Sequence, residues 1–409
     1  MTDLILSPRD GMFLKDGREW ASTDAGRAHS LEWPMPSTLH GALCTAAGRM
    51  VEAGRKPLTK DDWLKLSANI RIDALLALRR RLGSLSNWVA ADRAWPVPAD
   101  ALFLSEPKDQ LRRLDPHKPL HTTLGRHDDD SSEKLLWWPR IEEVAKPAPA
   151  PKWWTEAALL GWLTDQAEKR QVFQPAGPGS RAAKPGSLDY RGLALARHVQ
   201  VHVGIDPDTQ AAREQILFAH DVVETLDEQR YEWTIGCRVT MPGKLLTGCL
   251  TLGGDRRVAG IASAPAALFN CPTQLSGAFA ARRPKGLRLV AVTPAAFNAG
   301  WLPDGLSPAN GAYRGKLKGV TGELILRAAF VSRATHVSGW DMARGDKPGG
   351  QPKPTTRLVP PGTVYYFAKH NSGAFSAEEA KALWFIALGD RTEHGFGRFI
   401  PGVWEPKES

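Results

Sequence analysis

Apolar residues recur along this chain with two spacings, and each spacing marks out elements. Leu4-Ile5-Leu6, followed by Ser7-Pro8, is a short apolar run closed by proline and predicts a strand. Alternation predicts further strands at Ala194–Ile205, Glu232–Thr240, Leu287–Thr293 and Gly322–Ala329. Phe330–Val337 and Thr356–Phe367, rich in Val, Thr, Tyr and Phe, flank a stretch of Gly and Pro and predict a long hairpin. Helical spacing predicts a helix entered through Trp33–Thr38, with prolines at its start and Ser37 or Thr38 as cap. Others are expected at Lys60–Leu66, Thr155–Arg170 and Ser376–Leu388. The last has Ser376 as cap, Glu378 and Glu379 in the first turn and Gly389 as its stop. Asp206–Gln210 is read as capping a following segment, Ala211–Leu217.

Residues 55–185 are the least regular. They hold the acidic run Asp128-Asp129-Asp130, the proline-rich Lys146–Lys152 and the loop Gln174–Gly186. This region reads as an insertion that elaborates a first domain and faces partner proteins. Helices alternate with strand pairs of antiparallel character, so the class expected is α+β, each half threading onto a ferredoxin-like, RRM-like fold. The expected domains are 1–230, with the insertion at about 55–185, and 231–409, with a basic hairpin at 330–367 and a glycine-rich loop at 389–399.

Charge changes the picture. Residues 236–409 carry 22 Lys and Arg against 11 Asp and Glu, while residues 1–235 carry 31 against 33. A basic second half on a near-neutral first half points to a nucleic-acid face on one side. The alternative is a solvated basic surface. No apolar run is long enough to span a membrane, and the N-terminus shows no basic segment followed by an apolar core, so a cytoplasmic location is expected. Cys44, Cys237, Cys249 and Cys271 lack the close pairing of a zinc site or a disulfide framework.

Candidate chemistry gathers at glycine turns. Gly395-Phe396-Gly397, between Arg391 and Arg398, lets the backbone approach a bulky anionic partner; the alternative is a turn that merely needs glycine. His394–Phe399 imitates the aromatic signature of an RNA-recognition motif. A helix precedes it and the sequence ends soon after, so the base-stacking reading is rejected. Gly253-Gly254-Asp255-Arg256-Arg257 is a second glycine turn with paired arginines. Arg9, Lys15 and Arg18 lie in a loop of Asp-Gly turns before a helix whose start holds Ser37, Thr38 and His40, either a phosphate site or a plain strand-to-helix crossover. The hairpin tip sets Arg344, Lys347 and Lys353 around Trp340, a combination suited to single-stranded nucleic acid. The triple Asp lacks the glycine-turned loop of a calcium site, so neither metal nor cofactor is expected.

The blocks Pro8–Arg18, Pro36–Ala42, Leu252–Arg257, Thr293–Trp301, Gly339–Asp341 with Lys353-Pro354, Pro361–Phe367 and Gly395–Gly397 together resemble the third subunit of the Cmr effector complex of type III-B CRISPR systems, within the RAMP superfamily. The resemblance implies two ferredoxin-like domains. It implies a non-catalytic subunit that holds the 5′ repeat-derived tag of the guide RNA between a large polymerase-like subunit and the backbone subunits. Residues 55–185 add nothing to it. Two other readings stand beside it. One is a guide-processing endoribonuclease, for which His29, His40 and His394 are the candidates although no acid or tyrosine stands at a suggestive spacing. The other is a scaffold that touches only protein.

Overall fold

In a computed structural model of the chain, the described residues are 1–407 except 17–25, 54–56, 85, 107–109, 119–135, 140–145, 166–188, 228, 244–247, 310–311 and 342–349. Arg18, Arg344, Lys347, the triple Asp and the Gln174–Gly186 loop lie outside them.

The fold is mixed, mostly strands with few helices. One seven-stranded sheet is built from β1 (Thr2–Pro8), β2 (Arg71–Arg81), β3 (Arg93–Pro96), β4 (Trp153–Thr155), β5 (Tyr231–Thr240), β6 (Gly248–Thr251) and β7 (Val258–Ser263). Its order is β4-β3-β2-β5-β1-β7-β6. β1 runs antiparallel to β5, with Ile5 opposite Gly236, and to β7, with Ile5 opposite Ala262. The run Leu4-Ile5-Leu6 is buried on both faces of this sheet, which is why it lacks a polar partner at every second position. Leu4 and Leu6 meet Leu39, Leu43 and Ala47 of helix α1 (Pro36–Glu52). Ile5 joins the opposite core.

A second seven-stranded sheet comprises β8 (Gly286–Ala291), β9 (Leu306–Ala309), β10 (Ala312–Gly315), β11 (Leu324–Phe330), β12 (Val364–Lys369), β13 (Ile386–Ala387) and β14 (Arg398–Trp404). Its order is β9-β10-β11-β12-β8-β14-β13. A short helix, α2 (Ala377–Ala382), follows β12.

Several expectations need correction. The boundary at 230/231 cuts through the first sheet, because Tyr231–Thr240 is a central strand between β1 and β2. The sheets change over between Ser263 and Gly286. The described part of residues 55–185 is no outward insertion: it supplies β2, β3 and β4 of the first sheet, and its Trp95, Trp154 and Trp162 are fully buried in one continuous core with Ile5, Leu287, Val403 and Trp404. At its centre Arg288 and Asp100, both wholly buried, pair at 2.9 Å. Tyr366 Oη and Trp162 Nε1 donate to the same carboxylate at 2.7 and 2.8 Å, and the guanidinium donates to the carbonyls of Val403 and Trp162 at 3.0 and 2.5 Å. All three guanidinium nitrogens of Arg288 and both carboxylate oxygens of Asp100 are hydrogen-bonded, the condition for burying such a pair.

Helix α1 is capped by Met35 in extended conformation, with Pro36 in its first turn and no side-chain cap, so Ser37 and Thr38 lie inside the first turn. The helix expected over Ser376–Leu388 stops at Ala382: Ser376 and Glu379 form a capping box, but Phe385 takes a left-handed φ of +60° and Ile386–Ala387 turns into strand. Ala211–Leu217 is extended, within a strand Ala212–Val223 that pairs with Arg197–Ile205. Asp206 accepts from the amides of Asp208 and Thr209, closing that hairpin rather than starting a helix. The hairpin expected over 330–367 is two structures. Leu324–Phe330 and Val364–Lys369 pair within the second sheet. Thr335–Asp341 and Gln351–Leu358 form a separate two-stranded ribbon.

Candidate nucleic-acid interface

The described candidate residues fall into two clusters, which meet where the Phe13–Leu14 segment runs beside residues 28–31. The first surrounds the turn after β6. Gly253 has φ +79°, and a Cβ there would lie 2.5 Å from the carbonyl oxygen of Phe13; a Cβ at Gly254 would meet the Phe13 ring at 2.7 Å. The Gly254 amide donates to that carbonyl at 2.7 Å. Only glycine allows this seat. The chain then turns through Asp255 and Arg256, both left-handed at φ +56° and +50°, which holds Arg256 exposed at the tip. Arg9 and Lys15 are exposed alongside, with the Arg9 amide on Val258 and Lys15 bridged to Ser30.

Arg257 has a different job. Its Nη2 donates to Gln200 Oε1 at 2.5 Å and lies 3.5 Å from His220 Nε2, tying the Arg197–Ile205 hairpin to the body. There Phe13, His220, His202 and Phe218 form a run of neighbouring rings, with centroids 4.5, 4.6 and 5.2 Å apart. Burial first, and the neighbouring His202 second, push the His220 pKa down. Arg257 is therefore a structural tie, not an available phosphate ligand. His29 is likewise engaged: with Arg27 it holds Asp221, at 3.1 Å from Nδ1.

The segment that carries Phe13 and Leu14 runs beside residues 28–31, the Leu31 amide donating to Leu14 O at 2.7 Å. Residues 28–31 lead on to Met35, α1 and the second cluster, where Ser37 and Thr38 are half-buried. Here His40 of α1 stacks on His394 with centroids 4.1 Å apart. His40 Nε2 hydrogen-bonds to Ile70 O at 2.9 Å and burial lowers its pKa. Burial first, and His40 second, bring the His394 pKa down to about 4, against the pull of Glu393. Neither ring carries charge near neutral pH.

The Gly395–Gly397 turn is sealed by protein. Phe396 is 0% exposed and packs with Met35, Ala296 and Leu358. A Cβ on Gly397, at φ +65°, would sit 1.9 Å from Leu388 O, and one on Gly395, at φ +93°, 3.0 Å from Ile72. The Gly397 amide donates to Pro294 O at 2.8 Å. Arg398, 6% exposed, donates to the carbonyls of Ile72 and Thr392 at 2.6 and 2.8 Å, stitching the second sheet to the first. Phe396 and Arg398 face protein where a ligand contact was expected, because the two sheets meet at this turn. Arg391, half-buried, donates from Nη2 to Thr356 Oγ1 at 2.9 Å at the base of the ribbon. On the ribbon Lys353 stands opposite Gly339, Trp340 opposite Pro352, and Trp340 is 56% exposed. Among the described residues, the exposed cations of the interface include Arg9, Lys15, Arg256, Lys353 and Arg357. Among the described residues, no group of three or more His, Cys, Asp or Glu is arranged to hold a metal. Among the described residues, no helix is long and apolar enough to cross a membrane.

A family model described as CRISPR-associated protein (Cas_Cmr3) matches residues 4–404, which takes in both sheets and both clusters. The chain belongs to the Cas_Cmr3 family. No curated protein matches it. Among solved structures, the Cas_Cmr3 chain is similar to a chain of the type III-B Cmr-beta complex bound to cognate target RNA and AMPPnP, at 11% identity and a TM-score of 0.42, covering 89% of this chain and 86% of that one. It is also similar to a chain of the Csm3-Csm4 subcomplex of the type III-A interference complex, at 10% identity and a TM-score of 0.38, covering 99% and 100%.

Sequence reasoning missed His202, His220 and Phe13 as partners in one assembly. The signal was present in the alternation of Arg197–Ile205, which puts His198, Gln200 and His202 on one face, but its partner strand had been read as a capped segment.

Proposed function

We propose that this Cas_Cmr3 chain is a non-catalytic guide-RNA-binding subunit of a type III-B CRISPR effector complex. In this reading it holds the 5′ repeat-derived tag and bridges the large polymerase-like subunit to the backbone subunits, in the cytoplasm. The observation that carries it is the contact between the two clusters: the Phe13–Leu14 segment lies beneath the Gly253–Arg256 turn and runs beside residues 28–31, which lead to the start of α1 at the ribbon base. Arg9 and Lys15 on that segment and Arg256 on the turn offer exposed cations to an RNA backbone, and the ribbon offers an aromatic. The strand orders β2-β5-β1-β7 and β11-β12-β8-β14 both follow the pattern 2-3-1-4 of a split β-α-β unit, which supports two ferredoxin-like domains. α1 follows the first strand of one unit and α2 the third strand of the other.

The test is binding of a tagged and an untagged guide RNA to the purified chain at two salt concentrations. Preference for the tagged RNA, with a steep salt dependence, is expected; equal and weak binding of both would overturn the reading. A companion arm deletes Ala343–Gln351, which should leave the fold intact and blur the register of the bound guide.

The stacked His40–His394 pair favours a second reading, the endoribonuclease. RNA cleavage through the 2′-hydroxyl needs one group to take a proton and another to give one. Both rings here have lowered pKa values, so they supply no acid at neutral pH, and Nε2 of His40 is committed to Ile70 O. Cleavage of a labelled repeat RNA by the chain alone would restore that reading.

A further inference from the structure

The ribbon of Thr335–Asp341 and Gln351–Leu358 is mounted on a socket whose parts come from three regions. Leu358, 1% exposed, and Val337 pack on Phe396, Met35 and Ala296. Phe396 stands between two glycines held close to their neighbours: Gly395 against Ile72 and Leu75 of the first sheet, Gly397 against Leu388 just after β13. The ring itself is fully buried. Beside it Arg391 holds a left-handed φ of +57°, a conformation that costs an arginine free energy, and from there its guanidinium reaches Thr356 Oγ1 on the ribbon. A ribbon that leaves the body at one end pivots about its base. The backbone pair Ala295–Val359, at 2.9 and 2.8 Å, anchors that base, and the apolar plug and the directional hydrogen bond add control of its tilt and rotation.

We infer that Arg391 and Phe396 are positioning residues, which set the angle at which the ribbon and its Trp340 meet a nucleotide of single-stranded RNA. The inference rests on the reading that the ribbon contacts the guide. It accounts for a glycine-aromatic-glycine turn that packs against the base of the ribbon carrying the exposed Trp340. It also gives α1 a role, since Met35 is the residue that caps that helix, so the ribbon base and the helix start are held as one unit.

The experiment uses the full chain and a 5′-tagged guide RNA, read by hydroxyl-radical footprinting at single-nucleotide resolution. Thr356→Val removes the acceptor without touching any charge, and Arg391→Ala removes the donor. Both should spread the footprint edge nearest the ribbon over neighbouring nucleotides. The double variant should spread it no further, since one bond is lost in each case. The melting temperature should fall by no more than about 2 °C for one half-buried hydrogen bond in a chain of this size. Arg391→Lys, which keeps a donor and the charge, should sharpen the edge again in part. A sharp edge in Thr356→Val would overturn the inference even if Arg391→Ala were defective, because that defect would then come from charge. Deletion of Ala343–Gln351 is the control. If the deletion blurs the edge and Thr356→Val does not, the positioning role falls and the guide-binding reading stands. If the deletion also leaves the edge sharp, the ribbon does not contact the guide and both fall.

Discussion

Arg288→Met tests whether residues 55–185 and the two sheets are one core. The substitution keeps much of the side-chain volume and removes three donors. The carbonyls of Val403 and Trp162 lose partners at 3.0 and 2.5 Å, and Asp100 keeps only Tyr366 and Trp162 Nε1. Breaking one side of a buried ion pair costs about 3–5 kcal/mol, because the remaining charge stays desolvated. Typical domains hold only about 5–15 kcal/mol in all, so a large share of the stability should go. Urea unfolding followed by tryptophan fluorescence is the assay, since Trp95, Trp154, Trp162 and Trp404 all lie in this core. The midpoint should drop sharply within one transition, with the slope unchanged. Adding Asp100→Asn should recover a good part of the loss, because it removes the stranded charge. A loss below about 1 kcal/mol, or two transitions with the earlier one confined to residues 286–404, would refute the single-core reasoning.

Three further outcomes are expected. Arg256→Ala should weaken RNA binding for all sequences and lower the log–log salt slope by about one unit, whereas Arg257→Ala should instead expose the Arg197–Ile205 hairpin to protease; a salt slope that Arg256→Ala leaves unchanged removes it from the interface. His29→Ala and His394→Phe should leave guide maturation and target cleavage intact in a reconstituted complex, and loss of either activity in a folded variant would favour the nuclease. Because the folded pKa of His394 is depressed to about 4 from an ordinary 6.5, the unfolded chain takes up the proton first, so stability should fall as pH drops from about 6.5 toward 4 and be flat above that window. His394→Phe should flatten part of this fall, measured by melting temperature against pH.

What was legible in the sequence was local. Ser376 with Glu379 announces its capping box three residues apart, and the alternation of Glu232–Thr240 and Leu287–Thr293 marks strands whatever they pair with. The glycine turns were legible as glycine turns. Their occupants were not, because nothing near Gly395 in the chain says that Ile72 and Leu75 press on it. The same holds for 55–185. In its described part, Trp95, Trp154 and Trp162 pack with residues of both sheets, and no repeat along the chain marks such a shared core. Arg398 looked like a phosphate ligand because its charge is visible in sequence and the carbonyls that occupy it, Ile72 and Thr392, are not.

The pairing of β1 with β5 and β7 bears on how the protein comes into being on the ribosome. Leu4 must wait for Cys237 and Ser263 before it has hydrogen-bonding neighbours on either side. At about 5–20 residues per second, synthesis of the intervening chain takes roughly 12–50 s. For that interval the nascent N-terminus holds an apolar strand with two unpaired edges, next to a helix whose buried face has no sheet to cover. Holdase chaperones bind segments of that kind. A translational stall or premature stop between Thr240 and Ser263 would release a product with its central strand half-paired, which makes the timing of elongation through this region a determinant of yield quite apart from the stability of the finished molecule.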